Sequence, residues 1–253
     1  MIRHYLRLIQ FQLSYSWSRP LFRLCLIYSP IQYAVLTYLV YQRLPNADII
    51  KYSLIGSLLA SFWDAMCFSS VGDINRERRN RTLEIAYCSP CSFKTIIQAK
   101  ILANSFFSII SIMIILVIFN LFFQITFEIP NILMFITAVI ISFISLYFVA
   151  LFFASLFSIS RKITIYMNII SYPIFILSGF VFPTEILPFP LNIVSSFLLT
   201  TWIAKLIRFS ISDSNISQFV FLCFVNIVLS VVYYIFYRVF IQRILELIKE
   251  GSF

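Results

Sequence analysis

Apolar residues come in long runs along this chain, separated by short polar breaks, with neither the alternation of a half-buried strand nor the narrow stripe of a soluble helix. A helix needs about 20 residues to cross a hydrocarbon core of about 30 Å, so each long run predicts a membrane span. The spans fall at 20–41, 52–71, 101–127, 130–158, 163–182 and 217–240. Ahead of them, within 1–18, Arg3, Arg7, Gln10 and Ser14 share one helical face and Ile2, Tyr5, Ile9 and Leu13 another, the pattern of a helix lying along the membrane interface. Pro20 suits a first helical turn, Arg23 is close enough to that end to snorkel outward, and Pro30 is expected to kink the first span.

Two stretches break the rhythm. Residues 72–100 hold nine of the 29 charged side chains and no run that could cross a membrane, which marks them as the place where the chain meets something in water. Residues 183–215 open with three prolines, continue through an apolar run at 192–204 that is short for a crossing, and are then interrupted by Lys205 and Arg208. They read as helices that enter the membrane and return, tolerable only where protein shields the backbone. Asp213, Ser214 and Asn215 are candidates to cap the last span. The expected fold is therefore an all-α polytopic membrane protein of one domain. It has an interfacial helix (1–18), spans one and two (20–71), a polar segment (72–100), spans three to five (101–182), a re-entrant segment (183–215), and a sixth span with its tail (216–253).

Composition agrees with lipid as the solvent: 61% of residues are hydrophobic and 11% charged, too few to clothe a soluble domain. The net charge of +9 carries orientation. Six crossings put both termini and 72–100 on one side, which then holds 15 of the 19 Lys and Arg and leaves Arg43, Lys51, Lys205 and Arg208 on the other. By the positive-inside rule the basic side is cytoplasmic, and nucleic acid is the poorer explanation of the charge. Five cysteines, three of them inside apolar runs, give no extracellular disulfide framework. The N-terminus lacks the small-residue cleavage site of a removed signal peptide.

Catalytic chemistry finds little to stand on. None of the glycines Gly56, Gly72, Gly179 and Gly251 precedes a lysine, so no phosphate-cradling loop is present, and His4 is the sole histidine where a catalytic zinc usually wants three protein ligands. Neither a catalytic residue, a metal ligand nor a bound cofactor is expected in this chain. Cys88-Ser-Pro-Cys91 has redox spacing but no thioredoxin-like surroundings, and a turn at Pro90 between two short helices explains it better. Asp64, inside the second apolar run, is a candidate intramembrane polar site, although its nearness to Gly72 also suits an acid reaching water at the membrane edge. The run Arg76-Glu77-Arg78-Arg79-Asn80-Arg81 suits a solvated loop or a lipid-headgroup contact equally. The apolar Leu83, Ile85, Ala86 and Tyr87 that follow turn it into a mixed surface of the kind partners bind.

The segment Glu77-Arg78-Arg79-Asn80-Arg81-Thr82-Leu83-Glu84, with Ser89-Pro90 and Lys100 beyond it, resembles the cytoplasmic loop of type-2 ATP-binding-cassette exporter permeases, whose pattern is roughly E-R-x-x-G-T-L-E, S-P, G-K. Arg81 and Ala99 stand where the family carries glycine. Pro173, Leu177-Ser178-Gly179, Phe182-Pro183 and Leu187-Pro188 resemble the same family's fifth span and outer re-entrant region, with Leu199 where a later proline is common. The resemblance implies a multi-pass protein of a cell membrane, expected to be bacterial, that pairs with a second permease and with two separate ATPase subunits, which bind the ATP and magnesium. It implies a coupling helix contacting the ATPase through Arg76, Glu77, Arg78, Arg79, Arg81, Thr82, Leu83, Glu84 and Pro90. It also implies a re-entrant or gate region at Pro173, Ser178, Gly179, Pro183 and Pro188. The cargo stays open among peptides such as bacteriocins, drugs, lipids and glycans. A channel or secondary transporter would want more ionisable groups in its spans than Asp64 and Arg23, and an intramembrane lipid enzyme would want a nucleophile and base. Glu77, read as standing in water among arginines, is expected to matter for coupling while Glu77→Ala leaves assembly nearly intact.

Overall fold

The computed structural model describes residues 2–41, 47–80, 82, 92–123, 130–158, 163–180, 184, 187–213 and 215–249. In chain order the helices are α1 (Ile2–Trp17), α2 (Pro20–Tyr41), α3 (Ala47–Trp63), a π-helical turn (Asp64–Phe68), α4 (Ser69–Arg79), α5 (Phe93–Phe123), α6 (Ile132–Ser158), α7 (Ile163–Leu177), α8 (Leu191–Phe197), α9 (Leu199–Ser212) and α10 (Ile216–Lys249). Among the described residues there is no strand.

Local chemistry sets several ends. The hydroxyl of Ser18 donates to the Tyr15 carbonyl (2.8 Å) as α1 stops, and Pro20, with no N–H to lose, opens α2. Asn131 Oδ1 accepts from the N–H groups of Leu133 (3.0 Å) and Met134 (3.3 Å), capping α6, and Asn215 Oδ1 accepts from Ser217 N–H (3.2 Å) at the start of α10. Of the three cap candidates read from the sequence, Asn215 therefore does the capping. Asp213 instead accepts from Asn215 N–H (3.3 Å), and Ser214 lies outside the described residues.

Among the described residues, four helical stretches are long and apolar enough to cross a membrane: Leu54–Arg79, Phe93–Leu121, Ile132–Phe157 and Ile216–Glu246. A fifth arises if Leu191–Phe197 and Leu199–Ser212, which meet at 83°, count as one broken span. The apolar parts of α2 and α7, Phe22–Leu36 and Ile165–Leu177, are shorter and occupy the places of the expected first and fifth spans. The sharp bend between α8 and α9 has a local cause. Leu198, at the joint, is extended (φ −81°, ψ 123°), which ends one helix and starts the next.

The bundle is centred on α6, which packs against α10, α9 and the π-helical turn. Phe152 on α6 is ringed by Tyr233, Phe236 and Phe240 of α10 at centroid distances of 5.2, 6.1 and 5.9 Å, edge to face, the geometry aromatic quadrupoles favour. About two turns towards the other end, the small residues Ser145 and Ser230 let the two helices approach and share a hydrogen bond of 2.9 Å. Met66, Ile101, Leu146, Leu151 and Ile241 are fully buried in the same core. Apolar side chains such as Leu24, Tyr28, Ile169, Tyr172, Phe224 and Ile235 point outward, as expected of helices solvated by hydrocarbon.

The polar segment is where the structure departs most from the sequence reading. The second span does not end near residue 71. It runs on through α4 to Arg79, and α5 begins at Phe93, well before the expected third span at 101. The described parts of 72–100 are thus continuations of two long helices, and the connection between them, apart from Thr82, lies outside the described residues.

Candidate functional site

Three places gather polar side chains in an otherwise apolar bundle. The first is the base of the two helical legs, α4 and the start of α5. Asp73 is 2% exposed, accepts hydrogen bonds from three side chains and has a second arginine within ion-pair distance. Arg19, at the elbow between α1 and α2, reaches its Oδ1 at 2.7 Å, and Arg76 of α4 stands 3.6 Å from the same oxygen. Gln12 of α1 (3.5 Å) and Asn104 of α5 (3.2 Å) donate to Oδ2, and Asn104 also donates to Ser70 Oγ (3.1 Å). The guanidinium of Arg19 lies over the rings of Tyr15 (5.2 Å) and Phe22 (5.0 Å), and that of Arg76 over Tyr15 (5.0 Å). One carboxylate therefore ties α1, the elbow, α4 and α5 together, and both of its oxygens accept hydrogen bonds, as a buried acid requires.

Above this hub, Glu77 and Lys100 form an ion pair between the two legs, their side chains 15% and 9% exposed. This corrects the expectation that Glu77 stands in water among arginines. Because α4 is helical and α5 begins early, Glu77 turns towards the neighbouring leg and becomes a structural cross-link as well as a candidate contact. Arg76 and Arg78 are half-buried, Arg79 and Thr82 exposed, and the Thr82 hydroxyl donates to the Glu77 carbonyl (3.2 Å). Arg81, Leu83, Glu84 and Pro90, with Cys88 and Cys91, lie outside the described residues. On α1, burial pushes the Tyr5 phenol above its usual pKa while its hydrogen bond to Tyr147 of α6 opposes the shift, so the N-terminal helix is docked as well as amphipathic.

The second place is Asp64. It opens the π-helical turn, a distortion often retained at functional positions, and accepts a hydrogen bond from Ser29 of α2, next to Pro30. Since the helix continues to Arg79, 15 residues or about 22 Å further on, nearness to Gly72 does not put this acid at a helix end. It shares a cavity of about 280 Å³ with Ser29, Arg19, Asp73 and Arg76.

The third place is the turn after α7. Gly179 adopts φ 71°, a left-handed conformation that side chains resist, and ends the helix. Its carbonyl accepts from the Tyr52 hydroxyl (3.0 Å), while Arg208 Nη2 donates to the Phe180 carbonyl (3.3 Å) and its guanidinium lies 3.5 Å from the centre of the Tyr52 ring. Ser178 is hydrogen-bonded to Thr200, and Thr201 Oγ1 donates to the Leu177 carbonyl (3.3 Å). Gly56 of α3 lets this turn in: a Cβ there would lie 1.9 Å from the Phe180 oxygen. Of the gate residues read from the sequence, Ser178 and Gly179 come together here, Pro173 stays exposed inside α7, Pro188 is exposed ahead of α8, and Pro183 lies outside the described residues. Sequence reasoning missed Gly56, Tyr52, Thr200 and Arg208. Only Arg208 carried a signal, as a charge interrupting an apolar run.

Among the described residues, no three His, Cys, Asp or Glu side chains converge as metal ligands. Apolar helices long enough to cross a bilayer, two helices braced by buried ion pairs and a bent helix pair define a multi-pass membrane protein. Within that class, the chain belongs to the ABC-2 family transporter proteins, whose family model matches residues 27–238. It is accordingly a permease of the ABC transporter kind, a family whose membrane subunits work with ATP-binding-cassette subunits. Comparison with curated proteins finds no match to the chain.

Proposed function

We propose that this permease is the membrane subunit of an ATP-driven exporter. It moves an amphipathic cargo (peptide, drug, lipid or glycan) outward with two ATPase subunits on separate chains and a second permease copy or paralogue. The observation that carries this reading is the pair of braced legs in a chain of the ABC-2 family. Two long helices, packed into the bundle core through Val71, Ile74, Phe93 and Ile97, are cross-linked by Glu77 and Lys100 and anchored through Asp73 to the N-terminal helix, and α4 carries Arg76, Arg78 and Arg79 at its end. A lever of this kind transmits a push because its joints are salt-bridged. Closure of the ATPases against 76–90 would tilt α4 and α5 as a unit, and the bundle with them.

In this reading ATP and magnesium bind to the partner subunits, the six-span topology places both termini in the cytoplasm, and α8 and α9 form the outer re-entrant gate. The test is reconstitution with a partner ATP-binding-cassette subunit that co-purifies with this chain, in liposomes of cell-membrane lipid. ATP-dependent outward movement of cargo supports the reading. Transport that proceeds without the ATPase, driven by an ion gradient, would replace it with a secondary transporter.

A further inference from the structure

A cavity of about 520 Å³ sits between α3, α5, α6 and α9, walled by side chains such as Phe62, Leu116 and Ile207, and among the described residues none that lines it is charged. Its one hydroxyl is that of Ser142. That side chain is 3% exposed, and its Oγ has no hydrogen-bond partner. This is unusual within the same bundle. Ser57, Ser105, Ser108, Ser155 and Ser210 each donate to the carbonyl three residues back, at 2.5 to 2.8 Å. A buried hydroxyl left without a partner destabilises the protein, and a helix offers every serine the same remedy. Ser142 instead stands at the wall of an open space.

The character of the space limits what satisfies that hydroxyl. Water needs two to four polar partners to be held in a cavity, and here it would find one. A charged group would meet no counter-charge and lose its hydration. A hydrocarbon fits, since an apolar cavity of about 150 Å³ already binds benzene and this one is more than three times that size. The way in is from the side. Ile109 and Val139 belong to the lining and are themselves 44% and 43% exposed, on helices that read as spans. Ser142 is ten residues past the start of α6, about 15 Å along the helix, which is about halfway through a 30 Å hydrocarbon core.

We infer that this cavity is a binding site for a neutral, bilayer-soluble hydrophobe that carries one hydrogen-bonding oxygen within an otherwise hydrocarbon body, the oxygen accepting from Ser142. The ligand enters from the membrane between Ile109 and Val139. The site is separate from the legs and from the outer turn, and it stands whether or not the chain exports anything.

The experiment uses the full chain in phosphatidylcholine nanodiscs and two photoreactive probes, a long-chain alkyl ketone with its carbonyl at mid-chain and a diazirine beside it, and the matching alkane without the carbonyl. After irradiation, labelled positions are mapped by mass spectrometry. The ketone should label peptides around Leu116 and Phe143 in preference to the lipid-facing Ile140 and Ile144, and should do so about threefold to tenfold better than the alkane, the worth of one hydrogen bond. Ser142→Ala should abolish the ketone's advantage while keeping the alkane's labelling. Val139→Trp, at an exposed rim position, should block both. Labelling spread evenly over lipid-facing residues, or equal labelling by ketone and alkane in the unaltered protein, would overturn the proposal.

Discussion

Glu77 illustrates how one contact changes the meaning of a residue. With Lys100 as its partner in a site that is mostly closed, removing the acid strands an ammonium that is 9% exposed, so Glu77→Ala should lower stability by about 1–3 kcal/mol instead of leaving assembly intact. Thermal unfolding in detergent checks this, and Glu77→Ala/Lys100→Met should recover most of the loss because no charge is left unpaired. Transport measured on that double variant then separates coupling from folding. Unchanged ATP-dependent transport would remove Glu77 from the proposed contact with the ATPase. The glycines form a second residue-scale pair. Gly56→Ala drives a Cβ into the Phe180 carbonyl and should cost about 1–3 kcal/mol, whereas Gly72, helical and with nothing within 4 Å, should tolerate alanine or gain about 0.5–1 kcal/mol. Equal stability of the two variants would mean that the turn after α7 does not seat against α3.

Among elements, α1 has the most to lose. It reads from sequence as an amphipathic helix held by the interface, and its exposed Leu6, Phe11 and Trp17 agree with that. The structure adds a polar attachment on its inner side, where Gln12 and Ser16 are buried and Arg19 closes on Asp73. Asp73→Ala should release this helix by leaving Arg19 and Arg76 without their shared acid. Hydrogen exchange over 5–19 should speed up at least tenfold while α10, which packs mainly on α6 and α9, keeps its protection. Uniform acceleration across all helices would instead mean that the hub supports the whole bundle. The amphipathic pattern was legible because a 3.6-residue period is local. The anchor was not, because Gln12, Arg19, Asp73 and Asn104 meet only through tertiary packing, and each alone looks like an ordinary polar residue near a membrane boundary.

For the whole molecule, the proposed topology puts the legs and both termini in the cytoplasm. In intact cells a membrane-impermeant thiol reagent should leave a cysteine introduced at Asn80 unmodified and should modify one introduced at Ser212, both exposed in the structure and far from the core. The opposite labelling would reverse the orientation drawn from the basic residues. The purified chain, free of ATPase, should bind no nucleotide in equilibrium dialysis.

What the sequence determined by itself is everything that depends on local pattern or total composition: helices rather than strands, lipid rather than water as the solvent, the helix starts at Pro20 and Ile163 and, within one residue, at Ile216, and two motif-bearing stretches resembling the family that the chain matches over 27–238. Hydrocarbon demands internally bonded backbone and long apolar runs, so those features are written residue by residue. Only the tertiary structure decided that the described parts of the polar segment continue two long helices, that Glu77 belongs to Lys100, that Asp64 is held by Ser29, and that the turn at Gly179 fits against Gly56. Each of these joins residues tens of positions apart, and a charge or a glycine has no partner until neighbouring helices are brought together.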